Sequence, residues 1–249
     1  MKSWFFLLMF LFINKEIIAQ DVITLVKEAS KQESSFDEKS ALEKYKLALA
    51  LQPSNLFLLN KCSELCSRIG KRQPDTKLRM VFYRYAKNYA GASLQTNPNN
   101  ADANCAMAIA LGSIALTGSS REKVEAAKEI KKYVDCALKN DPLNYKAWHV
   151  LGRWHFELSG LNIFERTAVK IMFGGLPNST ITESIRAFEK AGSIMSFAAN
   201  YIELAKAYKK NDQQDKAIAA INALLHLPNQ TADDEDLKRQ GRALLKQWQ

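Results

Sequence analysis

The chain carries none of the common catalytic signatures. There is no G-x-S-x-G, no H-E-x-x-H and no glycine loop able to cradle a phosphate. With only His149, His155 and His226, a histidine acid–base or metal centre would need carboxylate partners that no motif marks. Zinc patterns are missing as well, since Cys62, Cys66, Cys105 and Cys136 have no histidine near enough in sequence to complete one. These absences argue against an enzyme, a bound cofactor and a metal. Glycine and proline are sparse, at 10 and 6 in 249 residues, and no alternating apolar and polar run of useful length appears. Sheet structure is therefore not expected.

Long apolar runs are rare too, and the one present stands at the start. Lys2 provides a short positive segment, Trp4 to Ile13 is unbroken apolar sequence, and Ile17-Ile18-Ala19 ends in a small residue suited to cleavage before Gln20. This pattern predicts a cleavable signal peptide over 1–19 and an exported, periplasmic or secreted, mature chain over 20–249. The run is about half the roughly 20 residues a bilayer span needs, so no stable transmembrane segment is expected after its removal. Tethering by an uncleaved N-terminal segment is the alternative, and the lack of a cysteine near the end of the run argues against a lipoprotein.

In an oxidising compartment the four cysteines have to be weighed as disulfide candidates. Cys62 and Cys66 sit four apart on one expected helix, with Cα atoms about 6 Å apart by helical rise, a poor spacing for a bridge inside a regular helix. All four fall on apolar faces and read as small core residues, with the oxidation of any pair left open.

What is present is helical periodicity with a regular recurrence. Hydrophobic residues make up 47% of the chain, enough for a continuous core. The segments Gln52-Pro53-Ser54-Asn55, Asn97-Pro98-Asn99-Asn100 and Asp141-Pro142-Leu143-Asn144 are near copies, with prolines 45 and then 44 residues apart. A recurrence of this size marks stacked helical hairpins. Periodicity and caps predict helices near 22–33, 38–51, 56–69, 76–95, 101–117, 120–139, 144–158, 163–173, 181–194, 198–210, 213–226 and 233–248. Ser119 to Glu122 and Thr180 to Glu183 read as capping boxes. The last helix, 233–248, reads as the polar cap a solenoid needs at its exposed end.

The units resemble tetratricopeptide repeats. Tyr201, Leu204, Ala205 and Tyr208, followed by Ala217, Ile221, Leu224 and Pro228, match that pattern best. Trp148, Leu151, Gly152 and His155 open the preceding unit, and Ser184, Phe188 and Ala191 close it after an insertion of about twenty residues. Small residues at Gly152, Ser184, Ala205 and Ala217 would let paired helices cross closely, while Trp148, Phe188 and Tyr201 fill the space between. The fold class expected is therefore all-α, a tetratricopeptide-like superhelix of hairpins with an inserted helix near 163–173. That inserted helix would either pack over its hairpin as core or present an amphipathic face to a partner or membrane surface.

A narrower likeness lies in Ala147-Trp148-His149-Val150-Leu151-Gly152-Arg153-Trp154, followed by Phe164-Glu165-Arg166 and Phe173-Gly174-Gly175-Leu176-Pro177. Over about residues 37–249 the chain resembles the regulator of microtubule dynamics protein family, in which a tetratricopeptide-like fold carries an inserted helix before a glycine or proline turn. The resemblance implies a binding protein with no enzymatic step, and its animal members are microtubule-associated or organelle-linked.

Counting helix positions in the repeat frame places Lys146, His149, Arg153 and Phe156, then Ile202, Lys206, Lys209 and Lys210, on a concave wall. The same count assigns Leu56, Leu59, Ser63 and Cys66, then Asp102, Cys105, Ile109 and Gly112, to its N-terminal part. A groove passing from apolar to cationic would suit a peptide or protein partner with a hydrophobic segment and an acidic segment or C-terminal carboxylate. The formal charge of +9 favours acidic partners in general. Nucleic acid is disfavoured because Glu125, Glu129 and Asp135 interleave with the lysines and export removes it from reach. A self-assembling envelope subunit and, by resemblance alone, a cytoskeleton-binding regulator are the competing functional readings. The first predicts self-association, while the sequence leaves the oligomeric state open.

Overall fold

The computed structural model describes residues 19–248, so the expected leader lies outside the described residues but for Ala19. No strand occurs among the described residues. The elements are α1 (19–34), α2 (Glu38–Leu51), α3 (Leu56–Lys71), α4 (Thr76–Thr96), α5 (Ala101–Ala115), α6 (Ser120–Asn140), α7 (Tyr145–Ser159), α8 (Ile163–Phe173), α9 (Ile181–Ile194), α10 (Ala198–Lys210), α11 (Gln214–His226) and α12 (Asp234–Trp248). Each expected helix is present with nearly its expected bounds, and the fold is an all-α, tetratricopeptide-like stack.

The three proline turns explain why the hairpins repeat. In each, the residue before proline closes the preceding helix, its N–H donating to Ala48, Ser93 or Ala137 at 3.1, 2.9 and 2.8 Å. The asparagine two residues after the proline then starts the next helix. Asn55, Asn100 and Asn144 accept from the N–H groups of Leu58, Ala103 and Ala147 at 3.2, 2.8 and 2.9 Å, supplying a partner to a donor that the first helical turn leaves orphaned. Both expected capping boxes form, at Ser119 with Glu122 and at Thr180 with Glu183, and a third forms at Asn162 with Glu165.

Pairing follows from the small residues. An added Cβ on Gly152 would lie 2.6 Å from the Phe188 ring, and Ser184 Oγ donates to the Gly152 carbonyl at 2.8 Å. The α7 backbone at Gly152 thus packs directly against the fully buried Phe188 ring and the Ser184 hydroxyl of α9. At the α3–α4 crossing Ser63 Oγ donates in the same way to the Ala86 carbonyl at 2.8 Å. The first helices of successive pairs, α3, α5, α7 and α10, touch one another, whereas the second helices, α4, α6, α9 and α11, do not. The stack therefore curves, with the first helices on its inner side. Helix α12 covers α10 and α11 at the end of the stack.

The insertion departs from the expectation that it packs as core. Helix α8 buries none of its residues. It is held at its edges by Lys128 Nζ donating to the Phe173 carbonyl and by Arg166 donating to the Leu158 and Leu161 carbonyls. Ile163, Phe164, Ile171 and Met172 all face solvent, Phe164 at 82% exposure.

Gly152→Ala separates propensity from packing. Alanine is the better helix former by about 1 kcal/mol, yet here the methyl group meets the Phe188 ring, and overpacking costs about 1–3 kcal/mol. Urea unfolding should show a lower midpoint for the variant. An unchanged or raised midpoint would mean that the crossing has slack.

Candidate binding face on the inner wall

The N-cap asparagines set the rotational register of the wall. Because Asn55, Asn100 and Asn144 occupy equivalent positions, Lys146, His149, Arg153 and Phe156 on α7 correspond to Asp102, Cys105, Ile109 and Gly112 on α5, as expected. On α3 they correspond to Phe57, Asn60, Glu64 and Ser67. The expected set Leu56, Leu59, Ser63 and Cys66 is displaced by one residue, a rotation of about 100° on an α-helix. Leu59, Ser63 and Cys66 are accordingly buried in the core. The N-terminal part of the wall is charged where it was expected to be apolar.

These charges form one connected network. Glu33 meets Lys61 at 3.0 Å and Arg68 at 3.5 Å, and Arg68 also holds Glu64 at 3.2 Å. Glu38, only 2% exposed at the start of α2, is gripped by both Arg68 and Arg72. From Glu64 the network crosses past α5 to Lys146 on α7 at 2.6 Å. It reaches the far end of the chain where Arg72 and Lys71 meet Asp233 at 2.8 and 3.3 Å. Burial alone would raise the Glu64 carboxyl, but Lys146, Arg68 and Lys61 outweigh it and hold the group down at about 2. Asp233 is lowered as well, with Arg72 and Lys71 overcoming the cost of burial.

The expected site residues come together only in part. His149 is partly buried, its Nδ1 3.1 Å from Asn200 Oδ1 and its ring against Phe188 and Phe197. Burial pushes its imidazole down to about 4, so it is neutral at pH 7. Arg153 stays open, 3.8 Å from Glu157, and Lys206 pairs with Glu203 at 2.9 Å. Burial would raise Glu203, yet Lys206 and Arg153 together lower it. Lys209 and Lys210 are turned toward the ends of the helices. Lys209 donates to Gln214 at 2.5 Å, and Lys210 donates to the Phe156 carbonyl at 3.2 Å with its ammonium 4.6 Å from the Phe156 ring. Ile202 is a correction: at 1% exposure it belongs to the core of the last hairpin and cannot face a partner.

Glu38, Glu64, Arg68, Arg72, Glu203 and Asp233 were not singled out in the sequence. Apart from the local Glu64–Arg68 and Glu203–Lys206 pairs, their pairings join residues from 30 to 162 positions apart, and only the 55–100–144 cap register would have pointed to Glu64. His155, by contrast, sits where its repeat position predicts, buried with Nδ1 3.1 Å from Ser179 Oγ. All four thiols are free. Cys62, Cys66 and Cys105 are buried and pushed up to about 12 by that burial, while Cys136 is partly exposed. An open recess of about 550 Å³ lies elsewhere, between α2, the end of α3 and α4, and it is lined by Leu42, Ile69, Leu78 and Phe82.

Acid should weaken the fold in two stages. The His149 pKa is depressed from 6.5 to about 4, so its contribution is complete above 6.5 and is lost as pH falls toward 4. Glu64, depressed from 4.5 to about 2, contributes fully above 4.5 and is lost as pH falls toward 2. Urea midpoints measured from pH 7 to pH 3 should fall across the range, and His149→Gln should flatten the upper stage. A midpoint constant from pH 6.5 to pH 4 would contradict the burial assigned to His149.

Comparison with known proteins agrees with the architecture and supplies a family. The family model described as regulator of microtubule dynamics protein 1-3 matches residues 25–249. The chain is 24% identical over 224 residues to regulator of microtubule dynamics protein 3 of Xenopus laevis, covering 86% of this chain and 47% of that protein. It thus spans about half of the frog protein's length. The mouse protein 1 is 24% identical over 227 residues, covering 88% of this chain and 74% of that one. Among solved structures, a thermophilic TPR protein of Thermus thermophilus superimposes with a TM-score of 0.66 at 14% identity, covering 90% of this chain and 99% of that one. A family match across nearly the whole described chain, on a tetratricopeptide-like stack with its insertion in place, makes this chain a member of the regulator of microtubule dynamics protein 1–3 family.

Proposed function

We propose that the protein is a non-catalytic binding scaffold that holds a peptide or protein partner against the inner wall of α3, α5, α7 and α10. The observation that carries this reading is that Arg153 and Lys206 hold the same repeat position on the touching inner helices α7 and α10, Arg153 open to solvent and Lys206 paired with Glu203. Cations positioned by helices on a concave surface suit charge-assisted hydrogen bonds to an acidic segment. Glu203 already occupies Lys206 in part. A partner therefore has to supply enough contact along the wall to exchange one ion pair for another.

Replacing Arg153 and Lys206 together by glutamine removes both cations without adding charge. The double variant should lose partner capture by at least about tenfold, the scale of a lost charge-assisted bond, while its helical circular dichroism stays unchanged. Undiminished capture by a folded double variant would remove the inner wall of α7 and α10 from the binding reaction.

We further propose that the mature chain is exported and starts at Gln20, on the strength of the apolar run and small-residue site in the first nineteen residues. The relatives' names connect them with microtubule dynamics, and a cytoskeletal partner would require the chain to remain in the cytoplasm. Cell fractionation with intact-mass measurement separates the two. A chain beginning at Gln20 outside the cytoplasm is expected, and a full-length cytoplasmic chain would favour the cytoskeletal partner.

A further inference from the structure

The two ends of the curved stack meet through a single set of side chains. Lys71 and Arg72 close the last turn of α3 and its cap, while Asp233 lies 161 residues beyond Arg72, immediately before α12. Helix α3 makes no backbone approach to α10, α11 or α12, so long side chains bridge this gap with no packed core behind them. Arg72 shares Glu38 with Arg68, and Arg68 holds Glu64, which pairs with Lys146 on α7, so the junction lies at the edge of the inner wall.

The main chain of Asp233 starts α12, its carbonyl accepting from the Leu237 N–H at 3.0 Å and its own N–H donating to the Thr231 hydroxyl at 3.3 Å, but its carboxylate takes no part in that cap. Among the hydrogen bonds of the described residues its carboxylate accepts from Lys71 and Arg72 alone. The turn into α12 is tied instead by Asp234, which accepts from the N–H groups of Gln230 and Thr231 and from the Thr231 hydroxyl. Arg72, on the other hand, is fixed independently of Asp233. One terminal nitrogen is held by the buried Glu38, which aims the other at Asp233 at 2.8 Å. Were Asp233 to leave, the guanidinium would still point outward as a ready donor, with the Lys71 ammonium, on a side chain 57% exposed, beside it.

We propose that Lys71 and Arg72 form a carboxylate-binding site at the rim of the inner wall, which the chain's own Asp233 fills in the free protein and an acidic side chain of a partner takes over on binding. This rests on the reading that the inner wall receives the partner. Asp233 is then an internal competitor: it lowers affinity for weakly acidic sequences, and its release loosens the ring formed by the two ends. Exchange replaces one set of charge-assisted bonds by another of the same kind, and Lys71, the more exposed of the two cations, gives an incoming carboxylate its first contact.

The test uses the full chain and a fluorescein-labelled hexaglutamate amidated at its C-terminus, which offers side-chain carboxylates only. Asp233→Ala should bind this probe on the order of tenfold more tightly than wild type by fluorescence anisotropy. Adding Lys71→Ala should return the affinity to the wild-type value or below. Small-angle X-ray scattering should show a larger radius of gyration for Asp233→Ala at low ionic strength. Circular dichroism verifies folding, and Asp233→Asn serves as the second variant if alanine fails to fold. Equal affinity of wild type and folded Asp233 variants would overturn the site while leaving the inner wall as the binding face. No binding by any form, alongside an expanded Asp233→Ala, would instead overturn the inner wall as a receiver of acidic segments, and the site with it.

Discussion

A single helical hairpin cannot cover its own apolar surface, and every larger feature of this protein depends on that constraint. Each pair exposes one apolar side that only the next pair can bury. The close crossing at Gly152 sets one helix backbone against the Phe188 ring of its pair, and the equivalent proline turns repeat the geometry along the chain. Because the first helices touch while the second helices stand apart, packing alone bends the stack and leaves one inner wall. Functional side chains are positioned on that wall by helix caps, with no need for long shaped loops.

The inner wall shows what happens when a tight bend brings charged helix faces together. Glu38 is buried and Glu64 partly buried, and each is matched by more than one cation. Arg68 is the centre of this arrangement, touching carboxylates contributed by α1, α2 and α3. Pairing turns a chain of formal charge +9 into a wall whose cations are largely satisfied from within. On the proposed reading, a partner would have to replace internal pairs, which would favour extended acidic segments offering several carboxylates at once over a single anion.

Much of the architecture was legible in the sequence because its determinants are local. Proline turns, N-cap asparagines, capping boxes and apolar spacing each act within a few residues, and they fixed helix extents, the pairing of α7 with α9 across the insertion, and the buried place of His155. The wall was less legible. Counting α3 from Leu56 without regard to its Asn55 cap rotated the face by one residue, which exchanged Glu64 for Ser63 and hid the charge network. Ile202 failed for a different reason, shared with Cys105: each lies five residues after its N-cap, where His149 is only partly buried, but each is drawn into the core. The exposure of α8 could not be read from its composition, since IFERTAVKIMF would serve equally as a core helix, and only the absence of a neighbour over Phe164 and Ile171 decides the matter.

The proposed binding face is the inner wall, and amide hydrogen exchange of the full chain with its native partner bound tests this most directly. Protection gained along α3, α5, α7 and α10, including the segments around Glu64, Arg153 and Lys206, is the expected result. Protection confined to α4, α6 or the apolar side of α8, with the inner helices unchanged, would contradict it.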